Sequence, residues 1–162
     1  SMVEPEWVSY LLPLIKRDSK IAVVGGKVIK PNGLIESAGV LLFDGNIGNL
    51  GLDNSGHRYS FTYQVDAVGA NACLFRREAI KDGFDFSYYL PFGGLEDIDY
   101  CLSLQEKGWK IFYCGYGAVV HKAGATRFED AAFWDRFNEN KKRFEARWQH
   151  LLDRKHSATK LM

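Results

Sequence analysis

The stretch from Pro91 to Tyr100 holds the densest chemistry in the chain: Gly93-Gly94 lead into Glu96, Asp97 and Asp99. Glycine lets a backbone turn tightly and lets a ligand approach closely. An apolar helical pattern follows, with Leu95, Ile98, Leu102 and Gln105 on one stripe and Cys101 and Leu104 beside it. The acids therefore fall in the first turn of a helix, where unpaired N–H groups and the helix dipole favour negative charge. A carboxylate kept ionised in that position suits a general base or a metal-linked anion. Acids in a first turn also serve simply to stabilise the helix, and on this stretch alone that plainer reading stands first. Positions 96 and 99 share one side of a helix and 97 points elsewhere, so the three acids cannot all have one role.

Three other features could join this cluster. His121 ends the apolar run Ala118-Val119-Val120, and a histidine where a strand stops is a candidate metal ligand, although alone it is more often structural. Gly69-Ala70-Asn71-Ala72 is a run of small residues that leaves room for a ligand, or equally for another chain segment, to lie against the backbone. The loop from Asp82 to Gly94 carries Phe84, Phe86, Tyr88, Tyr89 and Phe92. Not all of these rings can be buried on a loop, and those left over can line a pocket or stack on a sugar.

These side chains need elements to hold them. Glu4 to Arg17 has helical apolar spacing, with Pro13 making its second half irregular. Ile21 to Ile29 reads as a buried strand bent at Gly25-Gly26, and Pro31-Asn32-Gly33 as a turn into a second strand over Leu34–Phe43. Asp44 to Ser60 reads as a long surface loop, and Gln64 to Arg77 as a buried strand. The acidic helix stops at Lys107-Gly108. Trp109–Tyr113 and Ala118–Val120 read as two strands parted by a turn at Gly115–Gly117. Phe128 to Leu152 is an amphipathic helix on the spacing of Phe133, Phe137, Phe144, Trp148 and Leu151 or Leu152. The expectation is one α/β folding unit over 1–152 and a frayed tail over 153–162.

Composition narrows the function classes. A formal net charge of +1 over 162 residues gives no electrostatic case for nucleic acid or an anionic membrane. No apolar run approaches the roughly 18–20 residues of a membrane span. The three cysteines, Cys73, Cys101 and Cys114, fit neither a disulfide framework nor a zinc pattern. They read as reduced thiols in a cytoplasmic setting, with a longer parent protein that can sit peripheral to a membrane. No dinucleotide-binding glycine fingerprint is present in 21–43.

The order of these pieces resembles the C-terminal half of a family 2 glycosyltransferase of the GT-A type, the group that includes rhamnosyl- and galactofuranosyltransferase-like enzymes. The family pattern "GAxxLxRR" corresponds to Gly69–Arg77, "GGFDE" to Asp82–Phe86, and "EDxDLxxRL" to Glu96–Leu104. "G(Y/W)xIxY" corresponds to Gly108–Tyr113, and the closing histidine to His121. Gly25–Gly39 is similar to "GxKLLxPDGxIxxAG", and Asn138, Phe144 and Arg147-Trp148 to "N…FxxKW". Each motif is weak; the ordered set is specific and covers the chain from about Glu6 to His121.

The resemblance implies a fold: the C-terminal portion of a Rossmann-like GT-A domain, a mixed sheet flanked by helices with a long C-terminal helix. It implies an activity: inverting transfer of a sugar from a nucleotide-sugar to a hydroxyl of a glycan or glycolipid acceptor, as in polysaccharide biosynthesis. Matched by position, Asp97 is the base, with Glu96 or Asp99 orienting it or binding acceptor hydroxyls. Gly69, Ala70 and Asn71 lie along the donor sugar, and Phe92, Gly93 and Gly94 border the acceptor. His121 joins a divalent cation, Mg2+ or Mn2+, at the diphosphate. This sequence departs from the pattern at Asp82, Phe86, Ser103 and Gly115, and Ser103 replaces an arginine. No βα units precede the hairpin, and Asp44, Asp53 and Asp66 lie too far along to be the family's Asp-x-Asp motif. The expectation is thus a fragment without the nucleotide-binding half, inactive alone, with self-association through truncated sheet edges. A carbohydrate-binding module without catalysis, or a plain structural domain whose acids only cap a helix, are the competing readings.

Overall fold

The computed structural model describes residues 2, 3, 5–122 and 130–153. Its strands are β1 (Met2–Val3), β2 (Ile21–Ile29), β3 (Ile35–Ser37), β4 (Val40–Phe43), β5 (Asn46–Asn49), β6 (Thr62–Gln64), β7 (Cys73–Phe75) and β8 (Lys110–Val120). Its helices are α1 (Trp7–Arg17), α2 (Glu96–Glu106) and α3 (Phe133–Leu152). The architecture is mixed α/β, with a six-stranded sheet, a separate β4–β5 hairpin and a long C-terminal helix.

Two long strands make the sheet's spine. β2 and β8 run parallel, from Ile21 beside Lys110 to Ile29 beside Val120. The outer edge of β2 carries β7 and then β3, both antiparallel. The outer edge of β8 carries β6 and then β1, also antiparallel. Alternation along β8 feeds two cores. Cys114 and partly buried Phe112 meet Leu11, Leu14 and Ile15 of α1. Ile111 and Tyr113 meet Cys101 and Leu104 of α2. A further core joins Phe144, Trp148 and Leu152 of α3 to Leu42, Tyr89, Leu95 and Leu102.

Several sequence expectations change. The strand read over Leu34–Phe43 breaks at Gly39, whose φ of 95° is left-handed, so β3 stays in the main sheet while β4 pairs with β5. Inside the expected loop of 44–60, Asp44-Gly45 (φ 45° and 78°) make a tight turn that generates β5. The strand read over Gln64–Arg77 is two short strands on opposite rims of the sheet. Residues 65–72 between them cross the α2 face, and a Cβ on Gly25 would lie 2.5 Å from Val68. Gly25 thus makes room for Val68 of the protein's own chain, while Ala70 and Asn71 of the small-residue run are exposed.

The expected pair of strands over 109–120 is one strand, with Gly115, Tyr116 and Gly117 inserted where Gly26–Lys27 continue on β2. A Cβ on Gly26 would meet Trp7 Nε1 at 2.6 Å and the Gly117 carbonyl at 2.8 Å, so this bulge is the seat of α1. α1 itself runs through Pro13 to Arg17 without interruption. α3 starts at Phe133 rather than Phe128, which falls outside the described residues, as does the tail over 154–162. Among the described residues all three cysteines are free, and no helix is long and apolar enough to cross a membrane.

Candidate functional site

The approach to α2 is conformationally unusual. Phe92, Gly94 and Leu95 all have left-handed φ, at 59°, 76° and 78°. For Phe92 and Leu95 this is a strained choice that the surroundings must enforce. Phe92 is 85% exposed at the tip, while Leu95, the residue that opens α2, is buried. The loop's main support comes from α3. Asn140 is fully buried, accepts from the Leu90 N–H at 2.8 Å, and donates to the carbonyls of Leu90 and Gly94 at 3.0 and 3.1 Å.

The three acids then part company, as helix geometry requires. Asp99 is fully buried and saturated. Its Oδ2 accepts from the Tyr89 hydroxyl at 2.5 Å and Trp148 Nε1 at 2.9 Å, and its Oδ1 accepts from Ser103 at 3.1 Å. Arg147 brings a guanidinium to 3.4 Å of it and stacks over Tyr88 and Trp148. Burial, then the bond to Asp99, pushes the Tyr89 phenol well above its ordinary range. Asp99 thus ties the aromatic loop, α2 and α3 together and is closed to a ligand. Ser103, which stands where the family pattern has arginine, hydrogen-bonds Asp99, and the positive charge arrives from α3. Glu96 is half-buried.

Asp97 is the acid that faces the crossing segment. Its Oδ2 accepts from the Ala70 N–H at 3.1 Å, and its Oδ1 from the Ile98 N–H at 2.9 Å. A Cβ on Gly69 would lie 3.8 Å from Asp97 Oδ2. Asp97 is half-buried, and Ala70 and Asn71 beside it are exposed. Two pieces far apart in sequence, Gly69–Asn71 and Asp97, therefore share one place. Cys73 and Cys101 lie under it, with thiols against the carbonyls of Ala70 and Val68 at 3.7 and 3.8 Å. Burial, with a smaller contribution from the Asp97 charge, pushes the Cys73 thiol up to about 12, and burial raises Cys101 as well.

His121 follows the end of β8, with its N–H on the Ile29 carbonyl at 2.8 Å. Its Nδ1 lies 2.9 Å from Glu36 Oε2. Sequence reading gave no notice of this carboxylate. The pair supplies two donors. Among the described residues no group of three His, Cys, Asp or Glu is placed to hold a metal ion. Arg76, from the "RR" motif, is structural: it donates to the carbonyls of Ile21, Asp18 and Ile15 and fastens the end of α1.

Around the loop, Phe84 packs on Phe86 and Tyr100, and Tyr88 exchanges hydrogen bonds with Arg143. A separate cavity of about 290 Å³ lies between the β4–β5 hairpin, Leu95 and Ile98 of α2, and Phe137 and Lys141 of α3; Asp97 does not line it. The asparagine that matters on α3 is Asn140, whereas Asn138, singled out in the sequence motif, is exposed. A signal was available. Asn140 sits on the apolar stripe of Phe133, Phe137, Phe144 and Trp148, where a polar residue requires buried partners.

No protein-family model matches this chain. Among curated proteins it is similar to "Uncharacterized protein y4gI" of Sinorhizobium fredii (strain NBRC 101917 / NGR234), with 27% identity over 142 residues. That match covers 78% of this chain and 14% of the relative, so the chain spans a small part of the longer protein's length.

Proposed function

We propose that this chain is the acceptor-side portion of an inverting glycosyltransferase of family 2 with a GT-A fold, and that Asp97 is its general base. The observation that carries the reading is the meeting of Asp97 with Gly69–Asn71 at an exposed rim. In this reading the acceptor hydroxyl enters beside Gly94 and gives its proton to the Asp97 carboxylate. Its oxygen bonds to the anomeric carbon as the carbon–oxygen bond to the diphosphate breaks. The bonding pair leaves with the diphosphate, and the anomeric configuration inverts. Backbone N–H donors on both Asp97 oxygens hold the carboxylate in one orientation, as a positioned base requires. A divalent cation, when bound, would neutralise charge on the diphosphate, and His121 would be one of its ligands. The described donors do not complete such a site, so no step above depends on it.

Asp97→Asn in the full-length parent tests this. Turnover of a nucleotide-sugar should fall by about 10²–10⁴-fold, the usual worth of a positioned base, with unchanged thermal unfolding. Undiminished transfer sinks the assignment. A second reading, a carbohydrate-binding module without catalysis, is favoured by the exposed rings of Phe86 and Phe92. It requires sugar binding that survives Asp97→Asn and removal of divalent metal.

A further inference from the structure

We infer that Asn140 is a positioning residue for Asp97, acting across the loop Leu90–Gly94 from the middle of α3. The inference takes its functional meaning from Asp97 as base, but its geometry stands apart from that reading. An apolar side chain would suit the stripe position of Asn140, between Phe137 and Phe144. A carboxamide there is costly unless its bonds are made, and all of those found go to loop backbone: Leu90 N–H, Leu90 carbonyl and Gly94 carbonyl. Both amide hydrogens are used, so the side chain is held in one orientation.

The loop in turn is shaped to the asparagine. A Cβ on Gly93 would lie 2.3 Å from Asn140 Nδ2 and 3.1 Å from the Arg136 carbonyl, so only glycine fits. Left-handed residues flank this contact on both sides, at Phe92, Gly94 and Leu95. Gly94, whose carbonyl Asn140 holds, is three residues from Asp97. The carboxylate of Asp97 reaches Ala70 only if the first turn of α2 leaves the loop in this direction. Asn140 therefore sets the heading of that turn, and releasing the Gly94 carbonyl frees it to swing.

The Ala70 N–H is a built-in reporter, because its proton resonance should follow its hydrogen bond to Asp97. In ¹⁵N–¹H spectra of this chain, the Ala70 amide should be shifted downfield and slowed in hydrogen exchange by its bond to Asp97, and Asp97→Ala should abolish both effects. Asn140→Ala should also move the Ala70 resonance upfield and speed its hydrogen exchange, while Val23 and Ile111 in the spine keep their protection. Asn140→Asp keeps an acceptor for the Leu90 N–H but, as a carboxylate, loses both amide donors to the Leu90 and Gly94 carbonyls, and should behave as Asn140→Ala does. Gly93→Ala attacks the same contact from the loop side and should give the same signature. The double variant Gly93→Ala/Asn140→Ala, which removes the obstructing amide, should be closer to wild type than the sum of the two.

An unchanged Ala70 resonance and exchange rate in Asn140→Ala overturns the inference. So does a loss of protection in β2 and β8 in step with Ala70 in both single variants, which would make the asparagine purely structural. If Asp97→Asn spares transfer in the parent protein while the Ala70 results hold, the assignment of the base has failed and the positioning has not.

Discussion

Asp97 and Asp99 stand two positions apart and face different surroundings. Asp99 is sealed among Tyr89, Trp148, Ser103 and Arg147, while Asp97 looks outward past two backbone donors. Sequence alone separated position 97 from 96 and 99 by helix angle, but could not say which side was the interior. That depends on α3, which supplies Trp148 and Arg147 from far along the chain. The thiols beneath Asp97 give a prediction at this scale. Cys73 is held protonated up to about 12, whereas an unfolded chain loses that proton near its ordinary value of 9.0. Above that value the unfolded state binds fewer protons than the folded one, so stability falls as pH rises through this window. Urea midpoints should decline from pH 8 to 10, and less steeply in Cys73→Ala. Equal slopes in the two proteins would contradict the burial of this thiol. The raised Tyr63 phenol acts in the same direction at higher pH.

At the scale of elements, the strongly periodic segments were legible. α1, α2 and α3 sit where apolar spacing put them, whereas β2 runs through Gly25-Gly26 unbroken, and the register shift there comes from residues inserted on β8. The strand over Gln64–Arg77 was misread because a run of small apolar residues has no period that separates a strand from a segment crossing a sheet. What decides is Val68 resting on Gly25, a contact between distant residues. The division of β8 was misread for the opposite reason. Gly115–Gly117 has the composition of a turn, but here it is a bulge inside one strand. The seat it makes for α1 can be tested. Gly26→Ala places a methyl against Trp7 and the Gly117 carbonyl, and should cost about 1–3 kcal/mol by overpacking. Chemical denaturation measures this directly, and a neutral substitution would mean that α1 is not seated as described.

For the molecule as a whole, the candidate site is assembled from three separately built parts. The crossing segment brings Gly69–Asn71, α2 brings Asp97, and α3 stiffens the loop between the aromatic residues and α2. The sequence carried the identities of the first two through their resemblance to a transferase pattern. It carried the third only as a polar residue on an apolar stripe, and Glu36 beside His121 not at all, because neighbours across a sheet leave no mark in local spacing. The chain spans only a small part of its longer relative's length.

The parallel spine also governs the order in which this protein can fold. Ile21 must wait for Lys110, so everything between them has been synthesised before the two central strands can meet. Until then β2 has only the short partners β3 and β7. Pairing of such distant residues is slow, because loop closure is lost before contacts repay it. Refolding from urea should therefore lie towards the millisecond-to-second end of small-domain rates, and a chain ending before Lys110 should show no cooperative unfolding. Cooperative unfolding of such a truncated chain would place the organising centre of the fold elsewhere.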